Sequence, residues 1–283
     1  MKNYKFTIFT PVYNGAKTIH RVYNSLQCQT YCDFEWIIVN DGSTDNSADV
    51  IRELIEKTSW DITYINWETN RGKHIAWNEA VRLSKGEIFI VVDCDDAIDS
   101  NALAFFNEKW NQYFANSSIC GINALCVDSN TNLVSGVEYP YDGIMSHYGD
   151  FLSIYNIRGD KMCSFRTEYV KLFPYPEIAA NYYTECYLHY SLGEKFLTVG
   201  FNEKLYYYYY EPNSITHIKK ETRNNLCMIA HYQRWHIPRV ALRLIRIHPR
   251  ELARCIKELI ITTLKYKIMG WLKIEEVKYN ESL

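Results

Sequence analysis

The chain has no C-x-x-C pair, no run of about 18 apolar residues, no G-x-G-x-x-G after its first apolar segment and no surplus of positive charge. Each absence removes a class of protein. Nine scattered cysteines, odd in number, argue for reduced thiols in the cytosol and against a zinc knuckle or a disulfide framework. Without a long apolar run no membrane span is expected. The opening "MKNYKFTIFTPVYNG" is too interrupted in its apolar part to be expected as a signal segment. A single glycine in "TPVYNGAKTIH" cannot build the loop that cradles a dinucleotide. A formal net charge of −2 lacks the basic signature of nucleic-acid binding, so no nucleic-acid partner is expected. No internal repeat is present.

What the first hundred residues do contain is a strict alternation. Short β-branched, mostly apolar runs at 6–12, 35–41, 62–67 and 87–93 predict strands buried on both faces. Between them, Val22, Tyr23 and Leu26, then Ile51, Leu54 and Ile55, then Ile75, Ala76, Ala80 and Leu83 recur at helical spacing. This β-α-β-α-β-α-β rhythm predicts an α/β fold: an open, mostly parallel sheet flanked by helices. In such sheets ligands bind at the carboxyl ends of the strands. Four polar loops, "TPVYNG", "NDGSTDNS", "ETNRGKH" and "DCDDA", fall there.

The fourth loop crowds Asp93, Asp95 and Asp96 together. Like charges at that spacing repel, so either water surrounds them or a cation or polyol sits among them. A strand-end Asp95 can reach a hard divalent cation, Mg²⁺ or Mn²⁺, shared with substrate phosphates; Asp93 can accept from hydroxyls. The bland alternative for Asp95 and Asp96 is a helix cap for "SNALAFF" or a solvated turn. A lone D-x-D is weak evidence, and its position after the fourth strand is what strengthens it.

Beyond Ser100 the pattern predicts a helix through Leu103, Phe106 and Trp110, strand-like segments near 119–128 and 133–139, and a helix at roughly 184–196. The run "LYYYYYEPNSIT" predicts a strand with ring faces on both sides, packing being the simpler role and sugar stacking the sharper one. From Pro238 to Lys273 nine basic residues stand against two acidic ones, interleaved with apolar residues at near-helical spacing.

The segments "TPVYNG", "VNDGSTDNS", "NRGKHIAWNEAV", "VVDCDD" and "TECYLHYSL", in this order, resemble the family 2 glycosyltransferases of GT-A fold. The resemblance spans residues 5–217. It implies a catalytic domain over 1–217, with a nucleotide-sugar half (1–99) and an acceptor half (100–217), followed by a basic helical region over 218–283. It also implies an inverting transfer from a nucleotide-diphosphate sugar, assisted by a divalent cation. By the same resemblance Pro11 and Tyr13 line the base pocket, Asp41 accepts from the base, Asp93 holds ribose or sugar hydroxyls, and Asp95 holds the metal. Glu185, at the position where members often carry the Asp of a Glu-Asp pair, is the implied catalytic base, with Leu188 three residues on. Trp77 departs from the pattern, since many members carry a basic residue there facing the diphosphate. Lys73 or His74 can supply that charge.

The expected acceptor is a glycan or lipid-linked precursor of a cell-surface polysaccharide. A direct polyprenyl-phosphate glycosyltransferase and a non-catalytic nucleotide-sugar-binding subunit are the alternatives. The tail predicts either simple packing or contact with an anionic membrane surface; a cytoplasmic protein is expected, in the second case peripheral at the inner face of the plasma membrane. Gln233–Trp235 lacks the Q-x-x-R-W spacing of processive synthases.

Overall fold

The computed structural model describes residues 3–178, 183–210, 223–247 and 249–271. Two compact units emerge: Met1–Asn70, Ala76–Pro174 and Leu188–Glu211 form the first; Arg71–Ile75, Tyr175–Tyr187 and Pro212–Leu283 form the second.

The first unit is built on one sheet. Its early strands are β1 (Tyr4–Val12), β2 (Phe34–Asp41), β3 (Ile62–Trp67) and β4 (Gly86–Val91). They pair in parallel in the spatial order β3-β2-β1-β4. Helices α1 (His20–Gln27) and α2 (Ser47–Glu56) connect the first three strands, and α3 (Lys73–Leu83) follows β3. The sheet continues beyond β4 through β8 (Lys161–Arg166), β6 (Ile119–Asp128) and β9 (Leu197–Tyr208). Strand β8 runs antiparallel to both neighbours, whereas β9 is parallel to β6. Two short strands, β5 (Ala97–Ile98) and β7 (Ile144–Ser146), pair antiparallel with β9; the short helices α5 (Tyr148–Ser153) and α6 (Thr167–Val170) follow β7 and β8.

The β-branched and aromatic runs form the interior as their composition requires. Phe6, Ile8, Trp36, Ile38, Ile88 and Ile90 are fully buried in one cluster with Val22, Leu26, Ile51, Phe106 of α4 (Ala102–Tyr113) and Trp110. Phe9, Phe89 and Phe165 pack around Trp77. One carboxylate is buried with them. Glu35 accepts from the Thr7 hydroxyl at 2.7 Å and from the backbone N–H groups of Lys85 at 2.6 Å and Gly86 at 3.2 Å. It thereby ties the entry ends of β1, β2 and β4 together, a structural carboxylate remote from the strand-end loops.

The extended segment expected at 133–139 is instead a loop with a single bridge, Val127 to Val134. The reason is local. Asn132 (φ 57°) and Gly136 (φ 79°) both lie in the left-handed region, which no strand tolerates. The helix expected over 184–196 is α7 (Cys186–Gly193), and the tyrosine-rich strand ends at Tyr208; the "EPNSIT" part of that expectation lies outside the described residues.

In the second unit α8 (Arg223–Ile247) runs through Pro238, where the composition changes, and α9 (Pro249–Trp271) begins on a proline. Proline suits a first helical position because its missing N–H has no intrahelical acceptor there. The basic stretch therefore starts in mid-helix. The two helices pack together, with Gln233 Nε2 donating to Glu258 at 2.5 Å. No helix among the described residues is long and apolar enough to cross a membrane.

Candidate active site

The order β3-β2-β1-β4 places a topological switch point between β1 and β4, the position at which open α/β sheets bind ligands. The two strands part there. Their pairing ends at Phe9 and Val91, followed by one last bond from Val92 N–H to the Phe9 carbonyl. Pro11 follows in β1, buried and registered with Val39. Its missing donor costs nothing, because it falls on the β4 side, where the ladder has stopped. Beyond it, Tyr13 is 50 % exposed, an open aromatic face at a strand end. Asp41, 3 % exposed, closes β2.

The loops after β1 and β2 are stapled to each other. Asn14 (φ 55°) donates its N–H to Ser43 Oγ (2.9 Å) and accepts Thr44 N–H on its side-chain oxygen (2.8 Å). Gly15 N–H donates to Ser47 Oγ at 2.9 Å, and Ala16 N–H to Asp45 at 3.1 Å. Burial alone would raise the pKa of Asp45. Hydrogen bonds from Ser47 and from the backbone of Ser47 and Ala16 outweigh it, and the net shift is downward. Gly42 (φ +67°) cannot carry a side chain, since a Cβ would stand 2.3 Å from Asn70 N. The "DGSTD" motif is therefore mainly a scaffold that presents Asp41.

After β4, Asp93 and Asp95 are half-buried and Asp96 is buried. Asp96 is neither a cap nor a solvated turn: α4 has Asn101 at its N-cap. Instead the Tyr206 hydroxyl donates to Asp96 Oδ2 at 2.7 Å, and Tyr209 N–H donates to Oδ1 at 3.0 Å. Burial first, then the charges of Asp93 and Asp95, push its pKa up to about 7. The same Tyr206 oxygen accepts the Asp93 N–H at 3.1 Å. Arg21 donates to the Asp95 carbonyl at 2.8 Å and lies 4.3 Å from the Tyr209 ring centre. The tyrosine run thus packs beneath the acidic loop. Tyrosine rings on both faces of this strand are expected from the sequence, but nothing in the sequence points to the partner of the Tyr206 hydroxyl.

In the second unit Lys73 Nζ meets Glu185 Oε1 at 3.1 Å. Tyr175 and Tyr183 pack near them at 6.0 Å between ring centres, Tyr183 against Tyr187 at 5.4 Å, and Tyr187 against Trp235 at 4.7 Å. The charge of Glu185 adds to burial in raising the Tyr175 hydroxyl well above its ordinary range. This aromatic bed escaped sequence reading because its members are spread over sixty residues with no common period.

His74 is 2 % exposed, and its Nε2 lies 3.0 Å from the Ile178 carbonyl. A carbonyl only accepts, so Nε2 carries the proton. The residue packs, leaving Lys73 as the cation of that loop closest to the expected role; Trp77 lies in the aromatic core. Burial lowers the His74 pKa from 6.5 to about 4. Above the higher value the ring is neutral folded and unfolded. Between the two only the unfolded chain binds the proton, so stability falls as pH falls through this window, by roughly 3 kcal/mol. Denaturant unfolding above and below the window measures it, and His74→Gln should flatten the acid limb.

Among the described residues no three His, Cys, Asp or Glu side chains are grouped to hold a metal by themselves. Asp95 offers one carboxylate at the strand end. This donor set fits a hard cation of the Mg²⁺ or Mn²⁺ type, which takes one or two carboxylates and completes its shell with water and substrate phosphate.

The Glycosyl transferase family 2 model matches residues 7–166. An uncharacterized glycosyltransferase of Nostoc is 34 % identical over 42 % of this chain and 35 % of its own length. The teichoic acid poly(glycerol phosphate) polymerase of Staphylococcus epidermidis is 36 % identical over 38 % of this chain and 15 % of its own. A poly-β-1,6-N-acetyl-D-glucosamine synthase of the same species is 34 % identical over 35 % and 24 %. The chain thus matches about a third or less of the length of these curated relatives. Among solved structures, Staphylococcus aureus TarS 1-349 in complex with UDP-GlcNAc superposes with a TM-score of 0.65 at 18 % identity, over 96 % of this chain and 76 % of that one. A mannosyltransferase of Pyrobaculum calidifontis in complex with GDP-Man and Mn²⁺ gives 0.53 at 16 %, over 98 % and 77 %. At these identities the likeness concerns the fold, the mostly parallel GT-A sheet.

Proposed function

We propose, from the premise that this chain belongs to glycosyl transferase family 2, that it transfers one sugar, with inversion, from a UDP-linked donor to a glycan or lipid-linked acceptor of a cell-surface polysaccharide. The observation that carries this reading is the switch point itself. An exposed tyrosine, a buried carboxylate and a carboxylate pair end three strands around it. Relatives named as a teichoic acid polymerase and a poly-N-acetylglucosamine synthase, and a structural neighbour in complex with UDP-GlcNAc, support it.

In this reading Pro11 and Tyr13 form the wall of the base pocket, and Tyr13 stacks on the base. An ionised carboxylate is acceptor-only, so Asp41 takes the imide N–H of uracil. Asp93 accepts from ribose or sugar hydroxyls. Asp95 would hold a divalent cation, which when bound neutralises charge growing on the departing diphosphate. Lys73 adds a fixed positive charge for the same phosphates. Glu185 takes the proton of the acceptor hydroxyl as its oxygen attacks the anomeric carbon and the bond to diphosphate breaks. Its ion pair with Lys73 holds the carboxylate until an anionic donor competes for the lysine. The catalytic domain proposed over residues 1–217 contains all of these groups.

A panel of nucleotide sugars, read by release of nucleoside diphosphate, tests the assignment; no release with any of them in the presence of Mn²⁺ and an acceptor glycan would remove it. Asp41→Ala should weaken donor binding by roughly 1.5–3 kcal/mol, the worth of one charge-assisted hydrogen bond, with turnover at saturation little changed. An unaltered affinity for UDP would take Asp41 out of the base pocket.

A further inference from the structure

We infer that the outward face of α9 is a docking surface for an anionic lipid bilayer. Leu252, Cys255 and Thr262 point into the protein and are buried. Ile256, Ile260 and Leu264, one turn apart and hence on one face, are 41, 55 and 54 % exposed. A globular helix with no further partner carries polar residues there. Beside this apolar row runs a second row made of Arg250, Arg254, Lys257 and Lys265, all exposed, and the exposed Lys267 continues the line of the apolar row. One of the two acidic residues of α9, Glu258, accepts from Gln233 of α8.

Charge distribution selects the occupant. Between Pro238 and Lys273 nine basic residues face two acidic ones, a surplus of seven. Of the chain's 31 basic and 33 acidic residues, 22 and 31 remain for everything else. An anionic surface therefore attracts this segment, the second half of α8 together with α9, and repels the rest of the chain. Within α9 five basic residues face two acidic ones, and α9 adds the exposed apolar row to that charge. A second copy of the chain would bring a like-charged row against the first, an arrangement that repulsion opposes. An apolar row bordered by cations matches an interfacial helix, whose apolar face sinks about 5–10 Å into the headgroup boundary while its cations meet lipid phosphates. Docking of this kind complements the transfer reading, because a lipid-linked acceptor stays in the bilayer. It does not depend on that reading.

The test is co-sedimentation of the full chain with phosphatidylglycerol/phosphatidylcholine vesicles and with phosphatidylcholine alone, at low and high salt. Wild type should pellet with the anionic vesicles at low salt and be released by high salt. Each cation contributes about five-fold in partitioning, the equivalent of about 1 kcal/mol. Arg250→Gln, Arg254→Gln and Lys257→Gln together should therefore lower it about 100-fold. Ile260→Glu with Leu264→Glu should abolish it. All five positions are exposed, and unchanged thermal unfolding would certify both variants as folded. Failure of wild type to pellet, equal binding to neutral vesicles, or a dimer in light scattering that Ile260→Glu with Leu264→Glu dissociates would each overturn the proposal. Pelleting is read without turnover, so it survives or fails separately from the transfer assignment.

Discussion

Asp95→Ala should abolish sugar transfer and remove the cation-dependent part of donor binding while leaving the fold intact. The side chain is half-buried at the end of β4, and Arg21 anchors its loop by donating to the Asp95 backbone carbonyl. Removing the carboxylate therefore spares that anchor. What it does remove is the protein's hold on a divalent ion whose charge stabilisation of a leaving diphosphate is worth several kcal/mol, so the loss in kcat should exceed about 10³-fold. Asp96, the next residue in the chain, is a control of a different kind. Its carboxylate is tied to Tyr206 and to Tyr209 N–H, so Asp96→Asn should disturb the loop and lower stability before it alters cation dependence. Equal transfer by Asp95→Ala and wild type with and without EDTA would show that the strand-end carboxylate serves no cation.

The second large effect is expected at Glu185. Glu185→Gln keeps shape and hydrogen bonding but cannot take a proton, so turnover should fall by about 10²–10⁴-fold, the scale of general-base catalysis, with donor affinity nearly unchanged. The ion pair with Lys73 at 3.1 Å adds a distinguishing feature. Lys73→Met deprives the diphosphate of a positive charge and frees Glu185 at once, so it should raise the donor KM more than it lowers kcat. The two variants thus separate a base from a phosphate ligand in one kinetic table. A Glu185→Gln enzyme with normal turnover and poor donor binding would move the base to another residue.

In the parallel half of the sheet β1, β2 and β4 were legible because they are buried on both faces, and runs such as "EWIIVN" and "EIFIVV" allow few other conformations; β3, expected to be buried likewise, is the partly exposed edge strand. Site residues at strand ends were legible for the same reason: once β1, β2 and β4 are fixed, Tyr13, Asp41 and Asp93 must lie at their carboxyl ends. Tertiary partners were not. The burial of Asp96 depends on Tyr206, more than a hundred residues away, and the Lys73–Glu185 pair spans a similar distance. Neither leaves a periodic trace. The segment 133–139 misled because alternation is read from side chains, whereas Asn132 and Gly136 break the strand through φ. Pro238 misled in the opposite way, marking a change of composition inside a helix that continues past it.

The central claim is that the β1/β4 switch point binds a nucleotide diphosphate through Tyr13 and Asp41 on one side and a cation at Asp95 on the other. Calorimetric titration of UDP into the full chain, with Mn²⁺ and with EDTA, tests it most directly. The account predicts Mn²⁺-dependent binding that Asp41→Ala weakens in both conditions and that Asp95→Ala reduces to the EDTA level. Binding of equal strength in EDTA, or binding that neither substitution alters, would contradict it.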